Sequence, residues 1–328
     1  MIRRNRIQEK ISGSIFLLPV CAVAATVLWL FPLHDITVGS VLGWALCILT
    51  AYVLMEANSS LGLIRVRTRM VSCVWMLLAA AMPFMHLLGK PAVCALCLSV
   101  SLLLLMKCYQ LHNPQFYVYH SFLFLSLGDV CSLAVIPMAL LFYAYLAVFL
   151  RSLTWKGFWA GILGFATPYW CWFAYCLLTD NIDVFIGHFH DEVYPLASLA
   201  TDGNPVQTFV TSLMSECAAL PLVLKVSWAY LAVLSLVSVA HFLRNAYNDK
   251  IRVRMFMYIF VSQALALLLA SPFFPSSLTT VLAMLIVCVS PLAAHWLTLG
   301  GGRFAGVMLA VVTLSLVSVS YVCLWMPS

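Results

Sequence analysis

Apolar residues in this chain run in long blocks separated by short polar breaks, with little of the alternation that marks a half-buried strand. Blocks of near-spanning length lie at 13–32, 38–56, 69–88, 91–107, 115–129, 131–150, 157–178, 222–243, 253–271, 277–297 and 304–325. Each approaches the roughly 20 residues an α-helix needs to cross a hydrocarbon core of about 30 Å. Lipid offers no partner to backbone N–H and C=O groups, so each block must satisfy its own as a helix. The pattern predicts an all-α polytopic transmembrane bundle of about eleven spans, with residues 1–328 forming a single integral membrane domain. The stretch 115–150 admits two readings. Gly128-Asp129 suits a tight turn, which gives a helical hairpin; the other reading is a re-entrant segment followed by one span.

The basic residues decide between them. Arg3, Arg4, Arg6 and Lys10 precede the first block, and Arg65, Arg67 and Arg69 lie between the second and third. Lys107 follows the fourth block, Arg151 and Lys156 separate the sixth and seventh, and Arg244, Lys250, Arg252 and Arg254 follow the eighth. Arg303 precedes the last. With eleven spans all of these fall on one side, leaving only Lys90 and Lys225 on the other. The positive-inside rule makes the basic side cytoplasmic, which places the N-terminus inside and Trp325–Ser328 outside. A re-entrant segment followed by one span would invert everything after it, which the basic residues oppose; a hairpin, or two halves that both dip in and return, keeps Lys107 and Arg151 on the same side.

Composition agrees. Hydrophobic residues make up 64% and charged residues 9% of the 328, and mean hydropathy is +1.04. A soluble domain carries about 25% charge. The net charge of +6 is therefore a topogenic signal in short loops and does not indicate a nucleic-acid partner. Ala22-Val23-Ala24 resembles a signal-peptide cleavage site, but the apolar run continues through Leu30 and Phe31, so an uncleaved first span is expected.

The one sizeable external segment, about 180–221, gathers Asp180, Asp183, Asp191, Glu192, Asp202 and Glu216 without a Lys or Arg. Asp202-Gly-Asn-Pro205 signals a turn and helix start. Val206, Phe209, Val210, Leu213, Met214 and Cys217 then recur at helical spacing, which predicts an amphipathic helix lying on the membrane or on the bundle. This acidic loop and helix form a candidate docking surface for a protein partner.

Candidate chemistry is sparse. His188-Phe-His190-Asp191-Glu192 is the densest polar cluster, and in an extended segment His188 and His190 point the same way. With Asp191 and Glu192 they form a candidate divalent-metal site; the competing reading is an ordinary solvated loop. His34 and Asp35 close the first span on the outer side, where Asp35 is a candidate general base and His34 a substrate contact. The commoner use of Asp there is to cap the next helix. Lys225 opens the eighth block from the outside and suits either a substrate phosphate or a pairing with Glu216. Asp129 and Glu56 sit at span ends, in the interfacial region. Cys94-Ala-Leu-Cys97 has the spacing of a redox pair, yet the long loop supplies only Cys217 as a relay thiol. Most other cysteines lie inside apolar blocks, as small hydrophobes.

The run Phe122-Leu-Phe-Leu-Ser-Leu-Gly128, then Leu133-Ala-Val-Ile-Pro137, Phe149-Leu-Arg-Ser-Leu-Thr-Trp-Lys156 and the Gly161/Gly164–Pro168-Tyr169 segment resembles a family of uncharacterised polytopic inner-membrane proteins of Bacteroidota. That resemblance implies a bacterial inner (cytoplasmic) membrane location and assigns no activity. More loosely, the span count and the position of Asp35 resemble multi-span transferases and polymerases acting on polyprenyl-linked sugars. These imply an envelope-biogenesis role on a lipid-linked glycan, with Asp35 as base and Lys225 near the phosphate. This chain has a shorter first outer loop than they do and no outer Arg. The alternative is a non-catalytic membrane subunit that docks a partner through its external loop. A transporter is a third option, though the interrupted charged spans of a substrate path are lacking.

Overall fold

Helices form where the apolar blocks predict them. The structure, a computed structural model, describes residues 14, 16–30, 37–66, 68–86, 88–132, 135–197, 214, 215 and 217–299, with backbone alone for 190–197. Among these residues there is no strand. The helices are α1 (Leu17–Leu30), α2 (Val38–Leu61), α3 (Met70–Ala81), α4 (Lys90–Lys107), α5 (Gln115–Cys131), α6 (Ile136–Val148), α7 (Trp155–Leu178), α8 (Ile182–Ala197), α9 (Leu222–Asn245), α10 (Ile251–Ala270) and α11 (Leu278–Leu299). Six of them, α2, α4, α7, α9, α10 and α11, are long and apolar enough to cross a membrane, and the chain is a membrane protein on that ground. The expected span at 304–325 lies outside the described residues.

Local signals fix the ends. Thr37 caps α2 by accepting a hydrogen bond from the Ser40 amide at 3.2 Å, and Thr154 caps α7 through the Gly157 amide at 3.0 Å. Gly62, at φ +65°, closes α2 in the left-handed conformation and donates its N–H to the Asn58 carbonyl. Lys107 and Arg244 sit in the last turns of α4 and α9, where their charge suits the helix dipole.

Side-chain contacts give the helix directions. Ser72 donates to the Ala51 carbonyl (2.9 Å) and Trp75 to that of Cys47 (3.0 Å), so α2 and α3 are antiparallel. Ser101 and Ser121 exchange hydroxyl-to-carbonyl bonds of 2.7 and 2.9 Å while Cys94 reaches Gly128, which makes α4 and α5 antiparallel. Trp228 to Ser271 and Phe242 on Tyr258 do the same for α9 and α10. Small hydroxyl residues let these backbones approach closely where lipid supplies no hydrophobic drive between helices. The alternation gathers Arg65, Arg69, Lys107, Arg151, Lys156, Arg244, Lys250, Arg252 and Arg254 at one end. Lys90 and Lys225 are at the other.

α11 is the axis. It packs against α3, α4, α9 and α10, and nearly every residue from Leu278 to Thr298 is buried. α3 is almost as enclosed, between α1, α2 and α11. The outer helices reverse the pattern of a soluble protein and expose large apolar side chains, including Val23, Ile48, Leu140, Leu163, Trp170 and Val233. The 115–150 stretch is a hairpin of α5 and α6, with α5 held between α4 and α7.

α7 docks on α5 through glycine. A Cβ at Gly164 would stand 2.3 Å from the Tyr119 carbonyl oxygen, so only glycine permits this approach. Pro168, four residues on, lacks an N–H and crowds the Gly164 carbonyl, which loosens α7 at this contact. The Ser126 hydroxyl bonds the neighbouring Phe165 carbonyl at 2.6 Å.

Candidate functional site

Polar and reactive side chains concentrate at the end that carries Lys90 and Lys225. An open pocket of about 470 Å³ lies between the start of α4, the end of α5, α7 and α8, and is lined by Lys90, Val130, Cys131, Trp172, Val184, Gly187 and His188. α8 is placed there by aromatic contacts. Phe185 lies 5.1 Å from Trp172 and 5.3 Å from Phe173, Phe189 packs on Tyr169, and His188 stands edge-on to Trp172 at 5.1 Å. Asp129 is fully buried beneath this wall, and its carboxylate accepts from the Tyr169 hydroxyl. The close docking of α7 on α5 covers Asp129 within the protein. Glu56 remains half-exposed, accepting from Ser59.

One thiol, that of Cys131, lines the pocket, and two more lie on the neighbouring α4. Cys94 and Cys97 are buried on α4 and Cys131 is half-buried on α5. The Cys94 thiol donates to the Gly128 carbonyl at 3.3 Å, one turn from Cys131. Cys108, beyond the far end of α4, is a contrast: burial pushes its thiol up to about 12, so it stays protonated and unreactive.

The second cavity, about 400 Å³, opens between α9, the end of α10 and the start of α11. Leu220, Trp228, Pro272, Pro275 and Leu278 make it mainly apolar, and Lys225 stands at it. The Lys225 ammonium donates to the Ala218 carbonyl at 2.7 Å, and Trp228 is fixed by its bond to Ser271 at 2.7 Å. The expected partner of Lys225, Glu216, lies outside the described residues.

At the opposite end Asp249, in the turn between α9 and α10, is buried and accepts from His295 of α11 at 2.9 Å. Arg65 approaches the same carboxylate at 4.0 Å and donates to the Asn248 carbonyl at 3.2 Å. His241 stacks edge-on to His295, and Asn245 holds it at 3.0 Å. This network ties the α2–α3 turn, the α9–α10 turn and the central helix together. Sequence reasoning missed it because Asp249 lies 46 residues from His295 and 184 from Arg65 along the chain, and only folding brings them together.

The predicted site residues fare unevenly. His34 and Asp35 lie outside the described residues, and the α2 cap belongs to Thr37, not to Asp35. His188 and His190 fall on a helix, where positions i and i+2 leave on opposite sides of the axis. The paired geometry expected of an extended segment is therefore corrected; the side chains of His190, Asp191 and Glu192 are outside the description. Among the described residues no group of three or more His, Cys, Asp or Glu is arranged to hold a metal ion. The amphipathic helix expected after Pro205 falls largely outside the described residues, whereas α8 precedes it. Its signal was present in the sequence: Ile182, Phe185, Ile186 and Phe189 recur at helical spacing, and Asp183 favours the first turn. Comparison with protein-family models, curated proteins and solved structures finds no match.

Proposed function

We propose that this is a bacterial inner-membrane protein of about eleven spans that binds a lipid-linked phosphate, of the kind that carries envelope glycans, at its outer end. The basic end faces the cytoplasm. The carrying observation is the Lys225 ammonium beside the largely apolar cavity between α9, α10 and α11. An amphiphile matches that arrangement: its chain lies along Leu220, Trp228 and Leu278, and its phosphate meets the ammonium, a point charge suited to phosphate. Binding requires Lys225 to exchange the Ala218 carbonyl for the ligand. In this reading the enzyme step is transfer of the lipid-borne glycan, with Asp35, two residues before the α2 cap, as base and His34 beside it.

Thermal unfolding of the detergent-purified chain tests the binding. A polyprenyl phosphate raises the midpoint while the matching polyprenol does not, and Lys225→Ala removes that difference. At a hundredfold excess over Kd the stabilisation is about 2.7 kcal/mol. Equal shifts with both lipids, or none, contradict the reading. Asp35→Asn tests the transfer step: glycan transfer is lost while lipid binding stays.

A second reading, a partner-docking subunit, draws on α8, which leaves Ile182, Val184 and Ile186 exposed. It predicts a stoichiometric protein partner lost on changing these residues to Ser.

A further inference from the structure

The outer end also brings together thiols that sequence spacing does not pair. α4 and α5 run antiparallel and meet at Gly128, where a Cβ would be 3.4 Å from the Cys97 Cβ and 3.9 Å from the Cys94 Cα. Cys131 lies one turn beyond Gly128, whose carbonyl accepts from the Cys94 thiol at 3.3 Å, so the Cys131 and Cys94 thiols are neighbours. A disulfide between two helices needs its Cα atoms within about 4.4–6.8 Å, so close helix approach at this turn is its first requirement. Cys94 is sealed, at 1% exposure, whereas Cys131 lines the open pocket. One thiol is therefore reachable from outside the bundle and the other only from the first. The missing second pair, sought in the external loop, is replaced by a thiol from the neighbouring helix.

We propose that Cys131 and Cys94 form a dithiol–disulfide couple that exchanges with an anionic small-molecule disulfide entering the pocket. The Cys131 sulfur attacks one sulfur of the incoming disulfide, forming a mixed disulfide and releasing the first half as a thiol. Cys94 then attacks the Cys131 sulfur, and the second half leaves as a thiol. Two protein thiols are oxidised to one disulfide, one external disulfide is reduced to two thiols, and the protons of Cys131 and Cys94 end on the released products. Lys90, exposed at the first residue of α4, gives the pocket its positive charge, and His188 and Trp172 form its opposite wall. The couple is independent of lipid binding at Lys225.

The test uses the full chain in detergent, reduced, freed of reductant and exposed to oxidised glutathione. Peptide mapping without reduction then identifies the bonds. The expected product is a Cys94–Cys131 disulfide, retained in Cys97→Ser. In Cys94→Ser the expected product is a glutathione mixed disulfide on Cys131. Lys90→Ala slows the reaction with oxidised glutathione several-fold relative to neutral 2-hydroxyethyl disulfide, on the order expected for one lost steering charge. A Cys94–Cys97 bond in its place, or an unmodified Cys131 in wild-type protein with an unchanged unfolding midpoint, overturns the couple. Equal slowing with both disulfides overturns the anionic substrate.

Discussion

Single residues set the closest contacts, and their effects differ by what stands opposite. At Gly164 the obstacle is the Tyr119 backbone, which cannot swing away; at Gly161 it is the hydroxyl of Tyr143, at the tip of a side chain that can. Gly164→Ala is expected to destabilise the α5–α7 contact by about 1–3 kcal/mol and Gly161→Ala by less. Unfolding midpoints in detergent check the order. Backbone conformation gives a pair of opposite sign. Gly62→Ala places a Cβ at φ +65° and costs about 1 kcal/mol, whereas Asp180→Gly relieves a residue at φ +52° and is neutral or stabilising. At the basic end, His295→Phe leaves the buried Asp249 carboxylate with Arg65 alone, at 4.0 Å, for about 1–3 kcal/mol. An unfolding midpoint equal to wild type for His295→Phe would mean that the Asp249–His295 bond adds nothing.

Helices were legible in the sequence wherever they face lipid. A peripheral span such as α2 or α9 must be apolar along its length, and its block is plain. Enclosed elements obey a looser rule. α3 has 12 residues, about 18 Å of helix, and its neighbours rather than its own length shield it. α6 is likewise short, and its Tyr145 hydroxyl bonds Gln263 of α10 at 3.0 Å inside the bundle. α8 was hidden differently: its acids and histidines suggested a solvated loop, although Phe185 and Phe189 are one turn apart. If these rings anchor α8, Phe185→Ala with Phe189→Ala increases proteolytic cutting near residues 179–181. Unchanged cutting would mean α8 is held by other contacts.

The arrangement of charge organises the whole molecule. Alternating helix direction turns a sequence pattern of basic and basic-poor loops into a bundle with one basic end, which was foreseeable from the Lys and Arg positions alone. The site was less legible. The sequence offers Lys225 either to a phosphate or to Glu216, but the cavity beside it depends on Pro272, Pro275 and Leu278, which nothing in the sequence ties to it. Nothing in the sequence points to Cys131, and only the antiparallel α4–α5 contact sets it near Cys94. A cysteine-reactive, membrane-impermeant probe should label a cysteine placed at Leu153 only after the membrane is opened. Labelling of intact cells at that position would invert the orientation.

Native mass spectrometry of the protein released gently from its own membrane shows whether Lys225 holds a lipid-linked phosphate. Retention of a polyprenyl-phosphate or lipid-linked glycan mass by the wild type, with loss of that adduct in Lys225→Ala, is the predicted result. A stoichiometric protein partner with no such lipid would contradict it and make the chain a subunit of a larger complex.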